Sequence, residues 1–218
     1  FRKLIVPNIL SEKIIYVYCG INKGPGIARN KGAIFAKNKY LFFLDSGDES
    51  CSYRVSEQIK HLKFNDVAFG NIVEILPSGK RRIKKGASSK IMAKRILPYR
   101  NPFNNVTIAI NKKTFLRIGG YQNLRVGEDW VLMGKILKYN LRIFCLDEVL
   151  VNVFTGKDFI DRRSGKYFYE DIKKCLTILN DLNLINKINY FISLSFQYLF
   201  RNLIPKKLLG LIYKFLRN

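Results

Sequence analysis

The sequence has few acidic residues and little of what a zinc site needs. Its 218 residues contain 39 Lys and Arg but only 16 Asp and Glu, so the formal net charge is +23. There is one histidine, and no two of the four cysteines form a Cys-x-x-Cys pair. A zinc site of the Cys/His kind is therefore not expected. Isolated cysteines in a chain of this size indicate a reducing compartment.

The sequence also lacks an apolar run that could cross a membrane. Its best window, residues 188–200, is bounded by Lys187 and Arg201. This window is shorter than the ~18 residues that a spanning helix needs. The apolar fraction of 48% and the length still suffice for one folded domain with a sizeable core. No signal peptide is recognised, and because the chain begins at Phe1, we expect the natural N-terminus to be missing.

The excess of positive charge favours a polyanionic partner. Nucleic acid, an anionic lipid surface and a phosphorylated substrate all fit that description. The sequence carries no helix-turn-helix, zinc-finger or RNA-binding signature. A basic nucleic-acid-binding protein therefore stays an alternative interpretation, but no nucleic acid is expected as the partner.

Apolar patterning in the first quarter of the chain predicts a strand–helix–strand unit. Residues 14–18 are typical of a short buried strand, and a Gly- and Pro-containing turn at 24–26 opens a helix. Residues 40–44 form a second apolar run, typical of a strand inside a parallel sheet that is covered on both faces. Ligands of open α/β sheets bind beyond the carboxyl ends of the strands. Asp45 and Asp48 follow at such an end.

The rest of the chain alternates predicted helices and strands. A turn at 77–80 predicts a hairpin, and the segment 80–100, with nine basic residues and no acid, is predicted to be a mobile loop. After Gly156 the pattern becomes helical and ends in a basic amphipathic helix over 205–218. The remaining predicted elements are a helix over 53–64, a strand over 66–76, a strand over 106–110, a helix over 112–118 and a strand over 141–153.

Two features in the first quarter could bind phosphate or metal. Asp45 and Asp48 can present carboxylates to a divalent ion that also grips substrate phosphates; alternatively, Asp48 caps the helix that follows. Gly24 and the helix start behind it can offer backbone N–H groups to phosphate, with Arg29 adding charge. The alternative for Gly24 is a tight turn with no ligand.

A third feature, Glu128–Asp129, precedes a helix with apolar periodicity. One of these carboxylates could serve as a general base beside a bound acceptor. The alternative is that both acids stabilise the helix N-terminus.

Together these features form two motifs in a characteristic order. The first is Gly-x-x-x-Ala-Arg-Asn-x-Gly at 24–32, followed by Phe-Phe-Leu-Asp-Ser-Gly-Asp at 42–48. The second is Gly-Gly-Tyr at 119–121, followed by Glu-Asp-Trp at 128–130. In this order they resemble the family 2 glycosyltransferases of the GT-A fold, over roughly residues 12–153. One position departs from the family pattern, because Gly47 stands where the family usually has Asp.

The resemblance implies an α/β protein with a GT-A (Rossmann-like) mixed sheet flanked by helices. Residues 1–155 would form the glycosyltransferase domain. That domain is expected to be N-terminally incomplete, because the family's usual first strand and first acidic motif have no match. Residues 156–218 would form a helical, basic C-terminal region that ends in an amphipathic extension.

The resemblance also implies residue roles at the donor. A hexosyl-type sugar would move from a nucleotide-sugar to an acceptor hydroxyl with inversion, and the divalent cofactor would be Mn²⁺ or Mg²⁺. Asp48 would be the direct metal ligand, and Asp45 would contact the ion or the nucleotide-sugar. Gly24, Arg29 and Asn30 would line the donor.

For the acceptor, the resemblance implies Asp129 as general base, with Glu128 as the alternative. The acceptor would be a lipid-linked or surface glycan in bacterial polysaccharide biosynthesis. We therefore expect a cytoplasmic protein, peripheral at the inner face of the cell membrane and in contact with its anionic surface. A non-catalytic sugar-binding relative is a further alternative.

Overall fold

The computed structural model describes residues 14–18, 20–156, 166–200 and 204. In these residues a mixed sheet is flanked by helices, as the α/β GT-A interpretation requires. The elements in chain order are α1 (Pro25–Phe35), β1 (Tyr40–Phe42), β2 (Glu49–Ser50), α2 (Arg54–Leu62), β3 (Val67–Ile75), β4 (Arg81–Lys84), α3 (Lys90–Ile96), β5 (Ala109–Asn111), α4 (Lys112–Arg117), α5 (Glu128–Lys138), β6 (Ile143–Phe154), α6 (Lys166–Asp181) and α7 (Lys187–Tyr198).

The centre of the sheet is the parallel pair β3 and β6. Their sequences are rich in Val, Ile, Leu and Phe, and most of β3 is buried, as expected for a strand covered on both faces. One edge of β3 pairs with β5 over its first residues and with β4 over its last, both antiparallel. The order through the sheet is β1-β5-β3-β6-β2.

Helices cover both faces of this sheet. α2 lies on a smaller apolar cluster that includes Leu62, Leu146 and Leu150. The larger cluster lies on the other face and takes buried residues from α1, α3, α4, α5 and α6. α5 contributes most to it, because it is buried nearly all round, with Val131 and Ile136 fully covered.

The C-terminal helices share this core. A Cβ added at Gly134 on α5 would lie 2.6 Å from Leu179 Cδ2 and 2.8 Å from Leu184 Cδ1. The absent side chain therefore lets α6 and the segment behind it approach α5 closely. Leu176, Leu179 and Ile185 are buried in the same cluster as the sheet-covering helices. The predicted helix over 205–218 lies outside the described residues.

The predicted buried strand over residues 14–18 is wrong. The structure assigns these residues to no strand, and Ile14, Ile15, Tyr16 and Tyr18 are each about half exposed or more. Strand propensity reflects packing against neighbours rather than a backbone preference, so an apolar run without a covering layer does not become a buried strand. The predicted strand–helix–strand unit is therefore not formed in the described residues.

The strand predicted over 40–44 is correct in place but not in setting. β1 has only three residues, and it pairs antiparallel with β5. The prediction of a strand inside a parallel sheet is therefore wrong. Continuous apolar runs report burial, whereas strand direction depends on which partner the chain topology supplies.

The prediction of a mobile loop over 80–100 is also wrong. The turn at 77–80 does form the predicted hairpin, and Arg82 on β4 pairs with the buried Glu74 on β3. α3 then begins after Ser89, whose Oγ accepts the Met92 N–H at 3.2 Å. Ala93 and Leu97 are buried in the main core. Most of the basic side chains of this segment are exposed, and they extend from ordered elements.

The helices predicted over 53–64 and 112–118 and the strands over 66–76 and 141–153 are confirmed, with ends shifted by at most two residues. The strand over 106–110 is confirmed only in its second half. Its first half is a short 3₁₀ turn, Asn105–Thr107, in which Thr107 Oγ1 donates to the Asn104 carbonyl at 2.7 Å. Such local bonds compete with strand pairing.

The contact between α6 and the start of α5 can be tested at Gly127. Its φ is +84°, and an added Cβ would lie 2.8 Å from Cys175 Cβ on α6. We expect Gly127→Ala to lower the free energy of unfolding, measured by urea titration, by about 2–4 kcal/mol, from backbone strain plus overpacking.

The matched control is Gly79→Ala, where φ is +79° but no atom lies within 4 Å of the added Cβ. This variant carries only the backbone cost, about 1 kcal/mol. Equal losses in the two variants would contradict the packing of α6 on α5.

Candidate active site

The turn after β1 carries the two predicted metal-binding acids. The Asp48 N–H donates to the Asp45 carbonyl at 3.2 Å, and between them Gly47 has φ +91°. Glycine adopts this conformation without steric cost, whereas Asp is disfavoured there. The turn geometry therefore accounts for the glycine at the position where the family usually has a third acid.

A buried arginine fixes the strand end that leads into this turn. Arg54 Nη2 donates to the carbonyl of Phe43 at 2.9 Å, and its Nε donates to Gln58 Oε1 at 3.0 Å. Burial lowers the pKa of Arg54 to about 10. The guanidinium replaces the ladder partner that the Phe43 carbonyl lacks beyond β1, so it supports the backbone just before Asp45.

Arg29 on α1 joins the two acidic motifs. Its Nη2 lies 2.5 Å from Asp45 Oδ1, and its Nη1 lies 2.9 Å from Glu128 Oε1. Its Cζ lies 5.2 Å from the centre of the Tyr121 ring, within the range of a cation–π contact. Residues that are 16 and 99 positions away in the sequence thus meet on one guanidinium.

The charges in this bridge perturb one another. Burial by itself lowers the pKa of Arg29, but the charge and hydrogen bond of Asp45 outweigh it and hold that pKa above the ordinary value. Burial and the neighbouring Asp129 raise the pKa of Glu128, and Arg29 opposes this shift. Glu128 is therefore a buried carboxylate that already has a cationic partner.

Asp129 has a different environment from its neighbour. Its Oδ2 accepts from Asn101 Nδ2 at 2.8 Å, and its Oδ1 accepts from the Trp130 N–H at 2.8 Å. Both donors are neutral, and the residue is partly exposed. Among the described residues, the Asp129 carboxylate is thus held in place by neutral donors and forms no ion pair.

Asn30 connects α1 to the Gly-Gly-Tyr turn. Its Oδ1 accepts the Tyr121 N–H at 2.9 Å, and its Nδ2 donates to the Tyr121 carbonyl at 2.8 Å. A Cβ at Gly120 would lie 2.5 Å from Asn30 Oδ1, so the turn needs glycine there. Both ends of the Asn30 amide are therefore engaged with the turn that precedes α5.

The glycines at the start of α1 serve a turn and a close contact. Gly24 has φ +90°, and its N–H donates to Asn22 Oδ1 at 2.9 Å. A Cβ at Gly26 would lie 3.0 Å from both the Gln122 carbonyl oxygen and Glu128 Cγ. The tight turn that sequence reasoning offered as the alternative for Gly24 is present, and Gly26 lets α1 pack against the second motif.

Asp48 lies against the end of β6 and does not cap α2. Its Oδ1 accepts the Phe154 N–H at 3.3 Å, whereas the N-cap residue of α2 is Tyr53, which forms no side-chain capping hydrogen bond. The pKa of Asp48 is raised, mainly by burial and further by repulsion from Asp45, although the Phe154 hydrogen bond opposes this. A bound cation would stabilise the charged form of the Asp48 carboxylate.

The oxygen ligands that the protein offers at this turn fit a divalent ion only in part. Asp45 and Asp48 supply hard oxygen ligands of the kind that Mg²⁺ and Mn²⁺ prefer. Across residues 14–18, 20–156 and 166–200, no group of three or more His, Cys, Asp and Glu side chains is arranged to hold a metal. An ion at this turn would therefore need further oxygen ligands from substrate phosphates and water, which is how Mg²⁺ is commonly bound.

Sequence reasoning missed two residues of this site. Arg54 and Asn101 contact the strand end and Asp129, respectively. Arg54 falls in an ordinary helical pattern, and Asn101 follows a basic segment that was predicted to be a mobile loop. No local signal marks either residue, because their partners are distant in the sequence.

Comparison with known proteins identifies the class. The family model "Glycosyl transferase family 2" matches residues 3–124, more than half of the chain. A crystal structure of S. aureus TarS in complex with UDP-GlcNAc shares the fold, with a TM-score of 0.56 at 16% identity. It matches 81% of this chain, which spans 53% of the TarS chain. The chain therefore belongs to the family 2 glycosyltransferases and has their GT-A type of fold.

Two curated relatives are similar along most of the chain. One is the amylovoran biosynthesis glycosyltransferase AmsE of Erwinia amylovora, 25% identical over 200 residues, which cover 88% of this chain and 73% of the relative. The other is the E. coli UDP-Gal:alpha-D-GlcNAc-diphosphoundecaprenol beta-1,3-galactosyltransferase, 32% identical over 202 residues, with 88% and 71% coverage.

The double contact of Arg29 predicts a stability loss that charge alone would not give. Arg29→Lys keeps the positive charge, but an ammonium does not reproduce the planar fork that reaches both Asp45 and Glu128. We expect the free energy of unfolding to fall by about 1–3 kcal/mol, because a buried carboxylate loses its partner. Urea titration at neutral pH measures this loss.

The matched control is Arg125→Lys. Arg125 is exposed and has an ion pair with Asp171 at 3.4 Å, so we expect a change within ~0.5 kcal/mol. A loss at Arg29 no greater than the loss at Arg125 would contradict a structural bridge.

Proposed function

We propose that this protein is an inverting glycosyltransferase that moves a sugar from a nucleotide-sugar to an acceptor hydroxyl. The observation that carries the proposal is the Arg29 bridge, which joins the acid after β1 to the acid at the start of α5. The proposed donor motif and the two carboxylates that are candidate general bases thereby lie in one site. Family membership supports the class of reaction.

At the donor, we propose that the diphosphate binds beside the turn 45–48. Asp48 and Asp45 would hold Mn²⁺ or Mg²⁺, and such an ion neutralises charge that develops on a nucleoside diphosphate leaving group. The raised pKa of Asp48 supports this role, because within the described part of the chain its carboxylate accepts from a backbone N–H and has no cationic partner. Arg29 would lie near the donor and hold Asp45 in place. Gly24 and Asn30 would shape the start of α1, which would line the donor.

At the acceptor, we propose Asp129 as the general base. A base must be free to take a proton from the attacking hydroxyl. Glu128 is the weaker candidate, because Arg29 holds its Oε1 in a buried ion pair. Asp129 is partly exposed and oriented by two neutral donors, Asn101 Nδ2 and the Trp130 N–H. One base and one displacement at the anomeric carbon would give inversion.

For the cellular setting, we propose bacterial surface polysaccharide assembly with a lipid-linked acceptor. The name of the 32% identical E. coli relative specifies a UDP-sugar donor and a diphosphoundecaprenol-linked acceptor, and AmsE belongs to amylovoran biosynthesis. The net charge of +23 suits an anionic membrane surface. No helix in the described part of the chain is long and apolar enough to span a membrane. We therefore propose peripheral association at the cytoplasmic face.

We further propose that residues 1–155 form the catalytic unit. Residues 156–218 would form a helical, basic region that associates with the membrane surface. α6 nevertheless packs into the catalytic core, since Cys175 lies against Gly127. The C-terminal region is thus expected to move with the catalytic unit rather than independently of it.

The metal assignment can be tested with Asp48→Asn. We expect Mn²⁺-dependent binding of a nucleotide-sugar, measured by calorimetry across a panel of UDP-, GDP- and dTDP-sugars, to weaken at least about tenfold, because the ion loses a charged oxygen ligand. Without metal, we expect the free energy of unfolding at pH 7 to stay equal or rise. The folded protein raises the pKa of Asp48, so ionisation costs stability as pH increases through that pKa.

The matched control is Asp181→Asn, which removes one negative charge at an exposed position on α6. It should leave donor binding unchanged. Metal-dependent binding that survives in Asp48→Asn would remove Asp48 from the ligand set.

The base assignment can be tested with Asp129→Asn. Asparagine has nearly the same shape but does not accept a proton at neutral pH, and its single carbonyl oxygen can accept from only one of the two donors, Asn101 Nδ2 or the Trp130 N–H. We expect kcat for sugar transfer to fall by about 10²–10⁴ while the donor KM stays within a few-fold. Stopped assays of nucleoside diphosphate release, with an acceptor glycan, measure both parameters.

Glu128→Gln separates the two candidates. We expect it to lower stability, because Arg29 loses an ionic partner, while leaving kcat less affected than in Asp129→Asn. The reverse order of kcat losses would make Glu128 the base. Absence of transfer and hydrolysis across the whole donor panel in the natural full-length protein would support a non-catalytic sugar-binding relative instead.

A further inference from the structure

The helix α7 (Lys187–Tyr198) exposes its apolar side chains. Five of them, at spacings of three, one, four and three residues, lie on one stripe and are 51–70% exposed. They are Ile188, Phe191, Ile192, Phe196 and Leu199, the last at the helix end. We name this stripe the α7 face. It is a contiguous apolar surface of the type that marks an interaction site.

The opposite side of α7, which packs toward the protein, is partly polar. Ser193 is 1% exposed and Gln197 is 6% exposed. Ser193 Oγ has no hydrogen-bond partner among the described residues. A helix that faces water normally has the reverse arrangement. The pattern fits a helix whose outer face contacts an apolar phase.

The α7 helix carries a basic residue and no acidic one. Residues 182–218 contain no Asp or Glu, and Lys187 and Arg201 flank the helix in the sequence. Tyr99 donates its hydroxyl to Asn189 Oδ1 on α7 at 3.2 Å, which brings the exposed Arg100 next to the same region. The surface thus combines apolar side chains with cations and no acid from the helix itself.

These features favour a lipid surface over a second copy of the chain. Pairing two α7 faces would bring together two chains of net charge +23, each with the exposed Lys187 at the start of the helix. An anionic bilayer offers the complementary charge, which attracts each Lys or Arg that lies near its surface. It also offers the acyl boundary that exposed Phe, Ile and Leu side chains prefer.

We propose that the α7 face docks this protein on an anionic lipid bilayer, with α7 lying in the plane of the interface. A twelve-residue helix is about 18 Å long, too short for a hydrocarbon core of ~30 Å. The proposal rests on the proposed function only in giving docking a purpose, access to a lipid-linked acceptor. Because α6 and α7 share the core of the catalytic unit, docking would also orient the site relative to the membrane.

Vesicle flotation of the full 218-residue chain tests the proposal. The probes are vesicles of mixed phosphatidylglycerol and phosphatidylcholine, and vesicles of phosphatidylcholine alone. We expect binding to the mixed vesicles, weaker binding to the neutral ones, and a fall of about tenfold or more in the partition coefficient for Phe191→Ser/Ile192→Ser. The urea midpoint should not fall, because both side chains are exposed.

The matched control is Phe64→Ser/Ile83→Ser, which removes two exposed apolar side chains elsewhere on the surface. It should bind vesicles as the unaltered chain does. Equal binding of the α7 variant, or equal binding to neutral and anionic vesicles, would overturn the proposal. So would a dimer in vesicle-free sedimentation that the α7 variant dissociates, because the face would then belong to a second copy.

Donor turnover without vesicles separates this proposal from the proposed function. Turnover with no vesicle binding would reject the α7 face as a docking surface and leave the transferase intact. Vesicle binding through α7 with no donor turnover in the natural protein would support the α7 face as a docking surface and reject the proposed transferase function.

Discussion

The contact of Arg29 with Asp45 and Glu128 is the constraint on which the rest of the site depends. A buried charge is costly unless it is paired, and here one guanidinium satisfies an acid from each of two motifs. The three side chains come from α1, the turn after β1 and the start of α5. Asn30 and Gly26 strengthen the same junction by holding α1 against the turn before α5. The first motif and the two adjacent acids at the start of α5 are therefore packed as one unit.

This junction also gives two adjacent acids different chemistry. Glu128 points into the protein and neutralises Arg29, whereas Asp129 is partly exposed and is oriented by neutral donors. The sequence shows only neighbouring carboxylates at a helix start. Since consecutive residues on a helix point about 100° apart, one can serve the structure while the other faces substrate. The different environments of the two carboxylates follow from helix geometry together with the position of Arg29.

Local patterns predicted the fold where elements depend on their own residues. The strand over 66–76 and the turn at 77–80 formed close to the predicted bounds, and a helix begins at Glu128 as the apolar periodicity predicted. Predictions failed where the outcome depended on distant partners. The basic segment 80–100 is ordered because Ile83 and its neighbours pair with β3 and because α3 packs on the core. Residues 14–18 do not become a strand, because no strand of the described sheet pairs with them.

The sequence by itself determined the class of the protein, because the motifs around Arg29, Asp45 and Glu128 lie in a characteristic order along the chain. Only the tertiary structure decided how those motifs meet, that Gly47 is required by a positive φ, and that Arg54 and Asn101 support the site. It also revealed that α7 turns its apolar side outward. The physical reason is the same throughout: burial, charge pairing and strand partners depend on contacts between residues far apart in the chain, which no local pattern records.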